Sequence, residues 1–208
     1  NEVEHTFDIN AKINLLFFKD INSIEDWQAI DPTSNENYRL NTDLDFSTIQ
    51  DINHNLIINR MEGTSEGHKI SNITIQNEEY WHLFENINTS LKNITFENII
   101  VEDTGDLNNQ TTYDGVGKYT IGYLVNNADI ENIIFNNIKL SAKSNGMAIL
   151  SQVSQSNIKN IELNSIEVNG ASYTGGFIAQ VTTTNIDSVL GNNLNVTSVQ
   201  GAYCTGGV

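Results

Sequence analysis

The sequence predicts an all-β fold: a right-handed parallel β-helix with a short N-terminal capping helix. Three observations carry that expectation. One segment repeats at a fixed interval, the apolar residues in each copy follow strand periodicity, and asparagine stands wherever that periodicity needs one extra residue.

The repeat is plainest from residue 130 to residue 185. I-E-N-I-I-F-N-N-I-K-L runs from Ile130 to Leu140, and I-K-N-I-E-L-N-S-I-E-V follows from Ile158 to Val168, 28 residues later. A third copy, I-D-S-V-L-G-N-N-L-N-V, starts at Ile186, 28 further on. An earlier one, L-K-N-I-T-F-E-N-I-I-V, starts at Leu91, 39 residues before Ile130, with the excess in a polar insert around Asp103 to Asp114. Self-similarity at such a period marks a repeat architecture.

Within a copy the apolar side chains fall at positions 1, 4, 6, 9 and 11, giving columns such as Leu91, Ile130, Ile158, Ile186 and Ile99, Ile138, Ile166, Leu194. Steps of two are strand periodicity. The steps of three are filled by Asn72, Asn93, Asn132 and Asn160, then by Asn98, Asn137 and Asn193. Asparagine tolerates left-handed and turn conformations, so each unit reads as two or three short strands joined by tight bends. Stacked at the strand spacing of about 4.8 Å, the units set like residue over like. A leucine-rich repeat has a shorter period and different leucine spacing, and a β-sandwich would lack the 28-residue self-match.

The chain divides into an N-terminal cap with its lead-in strands over residues 1–50 and the coils over residues 51–208, one continuous domain expected to be cut short at its C-terminus. Alternation over Thr6 to Ile13 and Leu15 to Ile21 reads as strand. Ser23 to Ile30 reads as a helix: Ser23 caps it, Glu25 and Asp26 occupy the first turn, Ile24, Trp27 and Ile30 share a face, and Pro32 closes it. A helix there would cover the open end of the stack, with Trp27 buried on the first coil. Asp43 and Asp45 alternate on one strand and face water, short of the converging oxygens that calcium needs. Ile52 to Met61 is β-prone, and Leu83-Phe84 supplies a short return strand.

The insert is the candidate binding surface, because solenoid insertions project from one face. Its candidate residues are Asp103, Asp106, Tyr113 and Asp114.

Composition narrows the function. With 10 Lys and Arg against 26 Asp and Glu, the net charge of −16 argues against nucleic acid and anionic membranes as partners. No apolar run is long enough to span a bilayer, so no membrane insertion is expected. The single Cys204 permits no intrachain disulfide, and its neighbourhood offers no nucleophile motif. The four histidines, at 5, 54, 68 and 82, contain no H-E-x-x-H pair, and no Gly-x-Ser-x-Gly elbow or phosphate-binding glycine loop occurs. No catalytic, metal or cofactor residues are assigned, and His68 reads as a turn histidine.

Polysaccharide cleavage is the enzymatic alternative, and it needs carboxylates gathered on adjacent coils. The outward columns do not gather them: position 2 gives Lys92, Glu131, Lys159, Asp187, and position 7 gives Glu97, Asn136, Asn164, Asn192. The first is a solvated charge ladder whose steps are each worth under about 1 kcal/mol. Both arginines, Arg39 and Arg60, lie in the irregular first third.

Taken in order, N-Y-R-L-N-T-D-L-D-F from Asn37, the run from Glu62-Gly63 through Gly67-His68-Lys69-Ile70 to Ile75, His82-Leu83-Phe84, and I-x-N-I strands alternating with Thr120 to Val125 and Tyr173 to Ile178 carry a resemblance. The layout resembles the GLUG-type β-helix region of bacterial surface proteins. It is also similar to the region preceding the catalytic domain of the IgA1-cleaving zinc metallopeptidases of Gram-positive bacteria. The resemblance covers about residues 22 to 208, although His82-Leu83-Phe84-Glu85 lacks the usual glycines. It implies an extracellular, wall-associated, non-catalytic module, serving recognition or adhesion, or spacing a protease domain outside this chain. The partners to expect are a host or surface protein or a glycan, met by a monomer.

Overall fold

The computed structural model describes residues 16–76, 81–103, 119–142, 146–170, 173–198 and 205–206, without the side chains of Asp103, Tyr119, Thr205 and Gly206. The elements in chain order are β1 (Lys19–Ile21), α1 (Ile24–Gln28), β2 (Glu36–Leu40), β3 (Leu44–Asp45), β4 (Leu56–Gly63), β5 (His68–Gln76), β6 (Trp81–Asp103) and β7 (Tyr119–Asn126). They continue with β8 (Asp129–Ala142), β9 (Leu150–Ser154), β10 (Asn157–Gly170), β11 (Thr174–Gly175), β12 (Ile178–Thr182), β13 (Asn185–Ser198) and β14 (Thr205–Gly206). The described chain is thus almost entirely β, with α1 a single turn of five residues.

Twelve strands form one parallel sheet that does not close, and β11 pairs with β14 in a second, two-stranded ladder. Two rows of strands meet at β6. One row runs β1-β2-β4-β6-β7-β9-β12 and the other β3-β5-β6-β8-β10-β13. The 23 residues of β6 span both rows.

The 28-residue period is the spacing of the ladder. Ile130 lies opposite Ile158, and Ile158 opposite Ile186; Ile138, Ile166 and Leu194 line up in the same way. Leu91 completes the first column opposite Ile130, so the insert lengthens the connection without shifting the register.

The asparagine slots are left-handed. Asn72, Asn93, Asn98, Asn132, Asn137, Asn160 and Asn193 all have φ between 54° and 60°, and Ser165 and Ser188 take the two slots that lack asparagine. The short strands expected between bends are instead continuous, 14 residues each in β8, β10 and β13. The reason lies in the pairing. It skips only the bend residues, passing from Lys92–Glu131 to Ile94–Ile133 and from Glu97–Asn136 to Ile99–Ile138. There the side-chain amides bridge the tiers: Asn132 donates to Asn93 at 2.9 Å, Asn160 to Asn132 at 3.0 Å, and Asn137 to Asn98 at 2.8 Å. Each of these asparagine bends therefore keeps a hydrogen bond to its neighbour where the backbone turns aside.

Inside, the apolar columns form one core. An aromatic file runs along it: Trp27 lies edge-on to Phe46 at 5.8 Å and to Phe84 at 6.2 Å, and Phe84, Phe96, Phe135 and Phe177 succeed one another at 6.3, 5.3 and 6.1 Å. Position 6 of β13 is Gly191, opposite Leu163, so this column of the core ends there. Among the described strands β13 pairs only with β10, and its Ile186 and Leu190 stay 43% and 56% exposed.

The helix forms as expected. Ser23 accepts from the Asp26 N–H at 3.2 Å, Trp27 and Ile30 are buried, and Trp27 Nε1 donates to the Asn53 carbonyl at 2.9 Å. Asn53 returns the contact by donating to the Ile30 carbonyl at 2.7 Å, which ties the helix to the chain entering β4. Gly63 is required by a close approach: a Cβ there would sit 2.1 Å from the Asn93 carbonyl oxygen.

Two predictions follow the packing. Asn132→Ala should lower unfolding free energy by about 1–2 kcal/mol through the left-handed φ and the lost amide bridge. Asn132→Gly should cost less, because glycine takes that φ freely. Equal losses in urea titrations would separate stability from the bend. Phe135→Ala, at the middle of the aromatic file, should cost about 3–5 kcal/mol in the same assay.

Candidate functional site

Of the expected binding insert, Asp103 ends β6 opposite Ala142. Asp106, Tyr113 and Asp114 lie outside the described residues.

Asp43 and Asp45 have their carboxylates engaged by neighbouring donors. Asp43 Oδ1 accepts from the Lys69 N–H at 3.0 Å and lies 3.3 Å from His68 Nδ1. Asp45 Oδ1 accepts from the Ser47 N–H and from Asn72 Nδ2, each at 2.9 Å, and these bonds hold its carboxyl below the usual range. His68 also meets Thr64 Oγ1 at 3.0 Å, so this turn histidine is tied on both sides of its ring.

The charge ladder forms at its first step, where Lys92 meets Glu131 at 3.4 Å. At position 7 Asn136 donates to Glu97 at 3.1 Å, and Asn192 to Asn164 at 2.9 Å. Lys139 reaches Glu102 at 2.9 Å, which lowers the Glu102 carboxyl and raises the lysine. On these flanks Lys92 and Lys139 each meet a carboxylate, and the bridging amides bond to the neighbouring strand. Among the described residues no group of three or more His, Cys, Asp or Glu side chains could hold a metal.

Two features escape the sequence pattern. The first is a titratable cluster around the buried His82 at the start of β6, with Glu85 and Tyr123 half-buried beside it. His82 is buried, stacks on Tyr123 at 4.5 Å with rings 12° apart, and points Nε2 at Glu85 Oε2, 3.7 Å away. Its Nδ1 has no hydrogen-bond partner among the described residues. Burial, with a smaller contribution from the charge of His54, pulls the His82 pKa down to about 4, and burial raises that of Glu85. His54 in turn lies over Trp81, ring centroids 6.3 Å apart.

The second is a trough of about 390 Å³ along the outer face of β6, β7, β9 and β12. One wall is the column Asn86, Leu124, Gln152, Gln180, in register from strand to strand. The other holds Asn126, Ser154 and Thr182, also in register. The columns are two residues apart on each strand, and the buried Val125 and Val153 lie between them on the core side. Ser154 Oγ donates to Asn126 at 2.9 Å, and Gln152 Nε2 approaches Tyr123 Oη at 3.4 Å. The signal was present as Q-V-S at Gln152 and Q-V-T at Gln180, 28 residues apart, in the segments between the I-x-N-I copies.

A single raised carboxyl beside a neutral histidine can relay a proton, but glycoside cleavage calls for two carboxylates across the scissile bond. The trough offers uncharged hydrogen-bonding groups in register from strand to strand.

His82 makes stability pH-dependent. Its unfolded form titrates near 6.5 and its folded form near 4, so the unfolded chain takes up the proton first as pH falls. Stability is full above 6.5 and is lost progressively down to about 4, a loss of about 3 kcal/mol from this group. Glu85, raised by burial, acts in the opposite sense, stabilising as pH falls through its folded value. The variant His82→Phe should lose visibly less stability than the parent chain between those pH values in thermal unfolding; parallel curves would contradict the burial of a neutral imidazole.

Comparison of the chain with protein-family models, curated proteins and solved structures finds no match.

Proposed function

We propose that the chain winds as a right-handed parallel β-helix and works as a non-catalytic recognition or spacer module of a secreted or wall-associated bacterial protein. On this reading it is a GLUG-type region, standing beside a protease domain supplied elsewhere. The winding is supported by parallel pairing at a 28-residue offset in the later strands of both rows, from β7 through β9 to β12 and from β8 through β10 to β13. The non-catalytic role rests on one observation above the others. The outward asparagines form tier-to-tier amide ladders, which commit the flank's amides to fixing the stack.

Polysaccharide cleavage is the second reading, favoured by the raised Glu85 carboxyl 3.7 Å from His82. The two separate in one assay. The purified chain is incubated with neutral and acidic polysaccharides, and new reducing ends and unsaturated products are measured. The module reading expects neither above background. Turnover abolished by Glu85→Gln would establish the enzyme instead.

A further inference from the structure

We propose that the trough between the Asn86–Gln180 and Asn126–Thr182 columns binds a linear, uncharged polysaccharide lying along the stacking axis. The proposal rests on the recognition reading above and names its ligand class.

Four observations converge. None of the residues lining the trough is ionisable, in a chain of net charge −16. A ligand gathered there is bound by hydrogen bonds, and an anionic chain would be repelled by the surrounding field. The lining offers donors and acceptors together, since each amide presents both and each hydroxyl can act as either. A polyhydroxylated chain has the same dual character, whereas a phosphate or carboxylate would call for Lys or Arg. The side chains of Asn86 and Gln180, at the two ends of one wall, make no hydrogen bond among the described residues and have their full capacity free. Leu124 interrupts the polar wall with a methyl-bearing surface set among amides and hydroxyls. Such amphipathic patches suit the C–H face of a sugar ring.

Spacing selects against the peptide alternative. Successive lining residues lie one strand apart, about 4.8 Å. An extended peptide advances about 3.3 Å per residue and falls out of step with the lattice. A sugar unit in a linear glycan advances by close to one strand spacing, so successive units meet successive tiers.

The test is calorimetric titration of the chain with linear uncharged oligosaccharides of hexose and of N-acetylhexosamine, with oligouronides, and with an extended Ser- and Asn-rich peptide. At least one uncharged series should bind, with affinity rising until the oligomer spans the four strands. Gln152→Ala and Gln180→Ala should each weaken it by about tenfold, the worth of one well-placed hydrogen bond. Asn164→Ala, on the other row of strands, should leave it unchanged. Matching amide-region circular dichroism and melting temperature show that each variant is folded, and Gln180→Ala, at an exposed end of the wall, guards against a misfolded Gln152 variant. Binding by none of the uncharged oligomers, tighter binding of oligouronide or peptide, or affinity indifferent to both glutamine substitutions would overturn the proposal. Cleavage of the bound oligomer would instead overturn the non-catalytic reading while leaving the trough as the binding site.

Discussion

The left-handed asparagine bend is the constraint on which the rest of this structure depends. A parallel stack must turn its chain without breaking the ladder to the next tier, and an ordinary residue pays roughly 1–2 kcal/mol for the φ involved. Asparagine reduces the conflict twice over, by tolerating that φ and by sending its amide to the asparagine one tier away. At Asn93, Asn132 and Asn160 both happen in one column, so the turn and the tie between tiers are a single device. Where serine replaces it, at Ser165, the tie to the next tier weakens to a 3.5 Å contact from Asn193.

Once the bend fixes the register, the core follows from it. Ile130, Ile158 and Ile186 align because the tiers do, and the aromatic file from Trp27 to Phe177 packs along the interior that this alignment creates. The outer surface inherits the same regularity. Its amides and hydroxyls stand at the strand interval, and this turns a row of modest hydrogen-bonding groups into a trough with a period.

How far the fold could be read from the chain varies along its length. The columns and bends were legible because the copies share a period, and α1 because Ser23, Trp27 and Pro32 mark it locally. The continuity of the long strands was not legible, since an amide bridging two bends is a relation between tiers rather than within a tier. The His82, Glu85 and Tyr123 cluster was hidden for a similar reason: β6 and β7 pair across the insert, where the regular offset fails. The trough lies on the return segments, whose repeat of Gln152 and Gln180 is shorter and poorer in apolar residues than the I-x-N-I copies. The insert, picked out by its interruption of the period, contributes only Asp103 to the described fold, at a strand end.

The in-register stacking of tiers is tested most directly by disulfide trapping. Asn136 and Asn164 lie opposite one another on β8 and β10, at a strand spacing of about 4.8 Å that a disulfide can bridge. In a Cys204→Ser background, the pair Asn136→Cys with Asn164→Cys should cross-link rapidly and completely under mild oxidation. The pair Asn136→Cys with Glu162→Cys, two residues out of step, should not. Equal trapping of both pairs, or preference for the second, would contradict the account.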